Sequence, residues 1–359
     1  MTSLIEATTA GSAAEKLAEG RPSVVGALGD RMRDIGYRGL AITAGVVAVL
    51  SGWAIFSGGL KLFWTRFVDA LANGFVYGAI ALALVLIYKA TSIINFAQGQ
   101  MAMFGTFIAW VLAREQSWPV WFSIIIAMIV SALFGAVFER VFIRQFDPAN
   151  HLPIIMITIA LGLIIDGGAI LIWAVDPKPF PSPFPSNIKS DWVDLFGYKL
   201  YFQTLGVWIT VIIMTIGVTL LLKKTKIGLA FRSVSSNLES SRLVGINVGR
   251  TLQFGWALAG AIGTLAGCML LSDGRTFLEP PFMAKALVFA FAAATIGGFD
   301  SLGGALIGGL LVGQLQTMIG GYVSIIGSDL VLAFTLFVII AVLLVRPSGL
   351  FGKVRVERV

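Results

Sequence analysis

Long apolar runs separated by short polar or Gly/Pro punctuation occupy most of the chain beyond residue 40. An α-helix needs roughly 20 apolar residues to cross about 30 Å of hydrocarbon. Runs suited to this task cover 40–56, 67–88, 101–113, 119–138, 153–175, 202–222, 251–271, 282–296, 303–319 and 330–345. The pattern predicts an all-α polytopic membrane protein of about ten transmembrane helices, some short or broken. The runs at 101–113 and 282–296 fall below a full crossing. They are expected to tilt, to extend past these limits, or to be half-helices buried in protein, where interrupted backbone finds hydrogen-bond partners.

The polar punctuation sets an orientation, because Lys and Arg near span ends are retained on the cytoplasmic side. With a cytoplasmic amino terminus, most of the 26 basic residues fall on inner segments, among them Lys89, Arg140, Arg144, Lys223, Lys224, Lys226 and Arg250. Outer segments hold a thin scatter such as Lys61, Arg66, Arg114 and Lys285. Both termini are therefore expected in the cytoplasm, in a multi-pass protein of the inner or plasma membrane. The chain divides into a cytoplasmic extension at 1–38, a transmembrane domain at 39–346 and a cytoplasmic tail at 347–359. Within the domain, 176–202 forms an extracytoplasmic loop and 223–250 a cytoplasmic one. The extension mixes both charge signs and lacks an apolar run, which excludes a cleaved signal peptide there and favours a flexible or surface-lying segment.

Composition narrows the class. Hydrophobic residues make up 57% of the chain and charged ones 13%, with a mean hydropathy of +0.89, as in a membrane protein and unlike a soluble domain. The net charge of +7 sits at membrane borders, so anionic lipid headgroups, and not nucleic acid, are the expected counter-charge. Cys268, the single cysteine, cannot form an intrachain disulfide. The chain has no G-x4-G-K-[ST] phosphate loop, since Gly352-Lys353 is followed by Val354. With one histidine, His151, and one cysteine there is no metal cluster and no nucleophile paired with a base. A transport subunit without cofactor is expected, and an intramembrane enzyme is disfavoured.

Several features interrupt the apolar pattern. The segment 228–250, GLAFRSVSSNLESSRLVGINVGR, is a polar, basic insert between spans. A short helix over 232–244 would end at Gly245, which readily takes the left-handed position, and would lie across the membrane surface. The amide-rich stretch with Asn95, Gln98 and Gln100 is either a broken helix lining a cavity or a turn between spans two and three. Asp166 stands near mid-membrane, where a carboxylate either faces a polar conduit or ties helices together by hydrogen bonding. Its neighbours Gly167 and Gly168 would permit close helix contact. Gly255, Ala259, Gly263 and Gly267 recur every four residues on one helix face, as do Gly304 with Gly308 and Gly309 with Gly313, which marks them as packing positions. Pro177, Pro179, Pro181, Pro183 and Pro185 predict a stiff extended run, followed by a small hairpin over 192–201.

Inside the insert, Glu239-Ser240-Ser241 followed by Gly245 resembles the EAA-x3-G loop of ABC importer permeases, with serine at two alanine positions. Three more segments resemble the branched-chain amino acid permease family of those importers. They are Ile94 to Gln100 with Met101-Ala102-Met103, the stretch 285–304 with Lys285 and Gly297-Gly298, and the ending Arg346-Pro347-Ser348-Gly349-Leu350-Phe351-Gly352. The similarity runs from about residue 67 to the end and points to the LivH-like subunit type. Gln100 and Asp300 depart from it, where the family commonly has glutamate and glycine.

The resemblance implies an ABC importer permease fold, driven by two cytoplasmic ATP-binding subunits and paired with a second permease and an extracytoplasmic substrate-binding protein. It implies branched-chain amino acids or a similar small polar solute as cargo, urea or amides included. Arg232, Glu239, Ser240, Ser241, Arg242 and Gly245 become candidate coupling residues, and Asn95, Gln98, Gln100 and Asp166 candidate path residues. The rival class is a secondary transporter or channel working alone, built as an inverted repeat of five spans plus five. Such a repeat has no clear trace in the residues.

Overall fold

The computed structural model describes residues 24–146, 151–187, 189–195, 198–272, 274, 276–280, 282–322, 330–345 and 349–352. The chain divides into two units, 1–46 and 47–359. Residues 24–46 of the first are helical, and the hydrophobic core lies in the second.

Helix α1 covers Val24–Thr91 and breaks at Gly59 (φ 78°, ψ 163°). The span expected at 40–56 is thus no separate element, and the next one begins at Lys61 rather than residue 67. There follow α2 Gln98–Trp110, prolonged by a π-helical turn Val111–Glu115, and α3 Val120–Phe138, prolonged by a second π turn Glu139–Ile143. Next come α4 His151–Trp173, the strands β1 Trp192–Leu195 and β2 Tyr198–Tyr201, α5 Phe202–Lys224, α6 Lys226–Ser236 and α7 Leu238–Leu243. The chain closes with α8 Val248–Leu271, α9 Phe282–Gly297, α10 Leu302–Tyr322 and α11 Val331–Val345. Among the described residues six helical stretches are long and apolar enough to cross a membrane, and α9 and α11 are shorter apolar helices.

Burial separates two kinds of helix. The apolar windows of 61–91 and α8 are 78% and 72% buried, whereas those of α3, α4 and α5 are only 28–33% buried. The first pair forms the interior. The second group turns Leu, Ile and Val side chains outward, Leu171 at 89% exposure among them, as suits a surface solvated by acyl chains.

Lipid supplies no hydrophobic drive between helices, so interior contacts depend on close approach. Helix α8 packs on α2 and α3, and α9 on α10. On α8, a Cβ at Gly263 would stand 2.7 Å from Gln98 Nε2 and 3.1 Å from Ala102 Cβ of α2, and one at Gly267 would run into Thr106. Gly255 on the same face lies under the Phe231 ring of α6, and the Ala259 carbonyl accepts from Gln98 Nε2 at 3.0 Å. Toward α3, Gly260 meets the Ser131 carbonyl and Gly135 the Trp256 carbonyl, contacts that four-residue spacing did not single out. On α10, Gly304 and Gly308 lie against Gly297 and Ala293 of α9, while Gly309 and Gly313 lie against Gly74 and Gly78 of α1. Gly167 and Gly168 differ from expectation: a Cβ on either would meet nothing within 4 Å in this chain.

The proline run lies against the bundle. Lys178 and Leu278 exchange backbone hydrogen bonds of 3.0 and 2.9 Å, Trp110 Nε1 donates to the Pro179 carbonyl at 3.1 Å, and the Phe184 ring covers Gly206. Strands β1 and β2 pair antiparallel, Trp192 opposite Tyr201 and Leu195 opposite Tyr198, with 196–197 at their turn outside the described residues. Of the ending 346–352, residues 346–348 are likewise outside. The Leu350 and Phe351 amides donate to the Ile296 and Gly297 carbonyls at 2.8 and 3.3 Å, joining two of the segments that carry the family resemblance.

Candidate coupling and translocation sites

The polar insert is built as two helices. Thr225 caps α6, accepting from the Gly228 amide at 3.0 Å, and any side chain on Gly228 would collide with the Leu221 and Leu222 carbonyls. Glycine thereby permits the tight turn out of α5. Phe231 and Val234 are buried and anchor one face of α6 to the bundle, while the exposed Arg232 folds back to donate from Nε and Nη2 to the Gly228 and Lys223 carbonyls at 3.4 Å each. The single helix expected over 232–244 is interrupted at Asn237 (φ −154°, ψ 114°). Asn237 Oδ1 accepts from the Ser240 amide at 2.8 Å, so this residue ends α6 and caps α7, as asparagine does.

Helix α7 then closes on Gly245, whose φ is +82°. The Gly245 amide donates to the Arg242 carbonyl at 3.1 Å and the Ile246 amide to the Ser241 carbonyl at 3.0 Å, the paired bonds of a Schellman ending. Among the six candidate coupling residues, Arg232, Glu239, Ser240, Arg242 and Gly245 are exposed. Ser241 is not: it is 1% exposed and its hydroxyl lies 2.9 Å from that of Ser233 on α6. It holds α7 onto α6 and presents nothing outward. The outward tip also carries Leu243 and Val244, 89% and 73% exposed, which the motif did not include.

The insert is tied to the end of α1. Ser235 Oγ donates to the Lys89 carbonyl at 2.5 Å, and Lys89 Nζ donates to the Asp300 carbonyl at 3.4 Å, so residue 300 contributes backbone to this end of the bundle. Beside it lies a charged pair that sequence reasoning passed over. Glu139 has no exposed surface, and Arg144 Nη2 meets its Oε2 at 2.6 Å. The same guanidinium reaches the Gly249 carbonyl at 2.8 Å and Gln253 Oε1 at 3.3 Å, fastening α3 to α8. The pairing depends on the π turn, in which the Arg144 amide donates to the Glu139 carbonyl at 2.8 Å. A cavity of about 460 Å³ opens here, lined in part by Thr91, Arg144, Leu238 and Arg242.

The amide-rich segment is the turn between α1 and α2, at this same end. Ala97 N donates to Asn95 Oδ1 at 3.0 Å and Asn95 Nδ2 to Gln98 Oε1 at 3.3 Å. Asn95 and Gln98 have no exposed surface, so both organise the turn from within. Gln100 and Asp166 are brought together instead: Gln100 Nε2 donates to Asp166 Oδ2 at 3.3 Å, from α2 to α4. Gln100 Oε1 is buried without a partner, which leaves this intramembrane pair an open acceptor.

A bundle of apolar helices with a buried polar seam, and a capped amphipathic insert at one end, defines a multi-pass membrane transport component. The chain belongs to the family described as branched-chain amino acid transport system, permease component, whose model matches residues 66–345. It is 27% identical over 309 residues to the high-affinity branched-chain amino acid transport permease BraD of Pseudomonas aeruginosa, covering 82% of this chain and 97% of that one. It is 32% identical over 293 residues to the probable branched-chain amino acid transport permease LivH of Methanocaldococcus jannaschii, covering 76% and 87%. The LivH permease of Escherichia coli K12 is 25% identical over 305 residues, covering 83% and 98%. A stand-alone secondary transporter is not favoured by these relationships.

Proposed function

We propose that this permease carries branched-chain amino acids inward as one subunit of an ATP-driven importer, with α6 and α7 receiving the stroke of a cytoplasmic ATP-binding subunit. A second permease, two ATP-binding subunits and an extracytoplasmic binding protein complete the assembly. The insert supports this reading most directly. One side of it is pinned by Phe231, Val234 and the Ser233–Ser241 contact, while its other side offers Glu239, Arg242, Leu243 and Val244 to a partner. A surface with an apolar centre and charged rim suits protein docking. This orientation places the insert, Lys89 and Arg144 in the cytoplasm, with both termini there. Gln100 and Asp166 line part of the path in this reading, and Asp166→Leu is expected to reduce uptake.

The test is reconstitution of the five-subunit system in proteoliposomes. Leu243→Asp should leave assembly of the permease pair intact and reduce ATP-driven leucine uptake tenfold or more. Wild-type coupling in that variant would remove α7 from the docking role, and leucine uptake by the permease without any ATP-binding subunit would overturn the importer assignment.

A further inference from the structure

The opposite end of the bundle holds a second cavity, of about 580 Å³, a size usual for small-molecule sites. Its walls come from the start of the 61–91 helix, the starts of α9 and α11, and the end of α10. Lys285 belongs to the stretch that carries the family resemblance, while Arg66, Asp69, Gln316 and Thr317 lie outside those motifs and outside the coupling machinery. Arg66 and Lys285 supply two positive charges, Asp69 a negative one, and Phe289, Val331 and Leu332 an apolar flank.

Three polar atoms here are shielded from solvent and lack a hydrogen-bond partner: Arg66 Nε, Gln316 Oε1 and Thr317 Oγ1. All three residues line the cavity, but these atoms have almost no surface open to it, so the charge on its wall comes from the Arg66 guanidinium, Lys285 and Asp69. Arg66 is also held in place, since a Cβ on Gly321 would stand 2.9 Å from its Nε and 3.2 Å from its Cζ. Below the cavity the Phe289 ring packs on Tyr77 at 5.0 Å between centroids, giving an aromatic floor.

We infer that this cavity binds an α-amino acid as its zwitterion, with a branched aliphatic side chain. The Arg66 guanidinium and Lys285 face the carboxylate, with guanidinium–carboxylate pairing as the strong contact. Asp69 supplies the negative charge of the wall that takes the ammonium group. Phe289, Val331 and Leu332 take the side chain. The inference deepens the proposed function, on which it rests for cargo and for placing this mouth on the extracytoplasmic face, where a binding protein would release its load. A zwitterionic phospholipid headgroup shares the charge pattern, and the experiment separates the two sources.

The full-length protein in nanodiscs of phosphatidylglycerol, which has no zwitterionic headgroup, should bind tritiated leucine saturably. Arg66→Gln should weaken binding tenfold or more, and so should Gly321→Val, which displaces the guanidinium without altering charge. Thermal midpoints of both variants report whether they remain folded, and Lys285→Met, at an exposed position, provides a third arm that leaves the interior untouched. Leucinamide and 4-methylpentanoate, each missing one charge, should compete at least tenfold less well than leucine. Absence of saturable binding by the wild type, or full binding by the folded variants, would overturn the inference. So would loss of leucine binding when phosphatidylethanolamine is added, which would make a lipid the occupant. ATP-driven uptake that survives these variants unchanged would sink this site alone, whereas no ATP-driven uptake by the wild-type assembly would sink the importer reading itself.

Discussion

Glu139 has no exposed surface and depends on Arg144, which remains 36% exposed. Removing one partner of a fully buried pair costs about 3–5 kcal/mol, and the water reaching Arg144 reduces that to about 1–3 kcal/mol. Glu139→Gln should therefore lower the melting midpoint in detergent. The double variant with Arg144→Gln should lose less than the sum of the single losses, which a double-mutant cycle measures. Gly245 is demanding in a different way. Its φ of +82° excludes most side chains, although a Cβ there would meet nothing within 4 Å. Gly245→Asn, which tolerates this conformation, should retain ATP-driven uptake, and Gly245→Val should lose most of it. The glycine could be read from the sequence because it follows a helical stretch at the position where helices end. The Glu139–Arg144 pair could not. A five-residue separation lies off the shared face of an α-helix, and only the π turn brings the two side chains together.

Between helices, glycine spacing carries most of the readable information. The Gly255–Gly267 row faces α6 and α2 as closely as a four-residue repeat of small residues allows. Gly267→Val would force its branched side chain into Thr106, and overpacking of this kind costs about 1–3 kcal/mol. Lower membrane yield and a lower melting midpoint are expected, with Gly168→Ala, which meets open space, as the unaffected control. The same type of reasoning placed Gly167 and Gly168 at a contact and missed Gly135 and Gly260, because isolated glycines do not reveal which way a helix is turned. The insert was misjudged at one residue. Asn237 sits in a continuous polar run, yet its side chain competes for the backbone of the following turn, splitting one expected helix into two and turning Ser241 inward.

The number of apolar runs was enough to identify a polytopic helical bundle, and the interior followed from where small residues collect. Less could be read about the first helix, whose break falls at Gly59 instead of in a polar linker, and nothing in the linear pattern placed Gln100 beside Asp166. The proposed orientation is open to direct measurement. Cys268, the single cysteine, has no exposed surface, so labelling of an introduced thiol has little background. In sealed inside-out vesicles Leu243→Cys should react rapidly with a membrane-impermeant maleimide and Lys199→Cys should not, with the reverse pattern in right-side-out vesicles.

The stretch from Lys61 to Thr91 contains no non-helical residue. Ser235 grips it at Lys89, and Arg66 projects from it into the far cavity, about 35 Å away at 1.5 Å per residue. A rod of that length with no joint acts as a lever. Under the proposed coupling, a tug on the insert is passed along this helix, and the proposed grip at the distant mouth would loosen in step with events at the other face of the membrane.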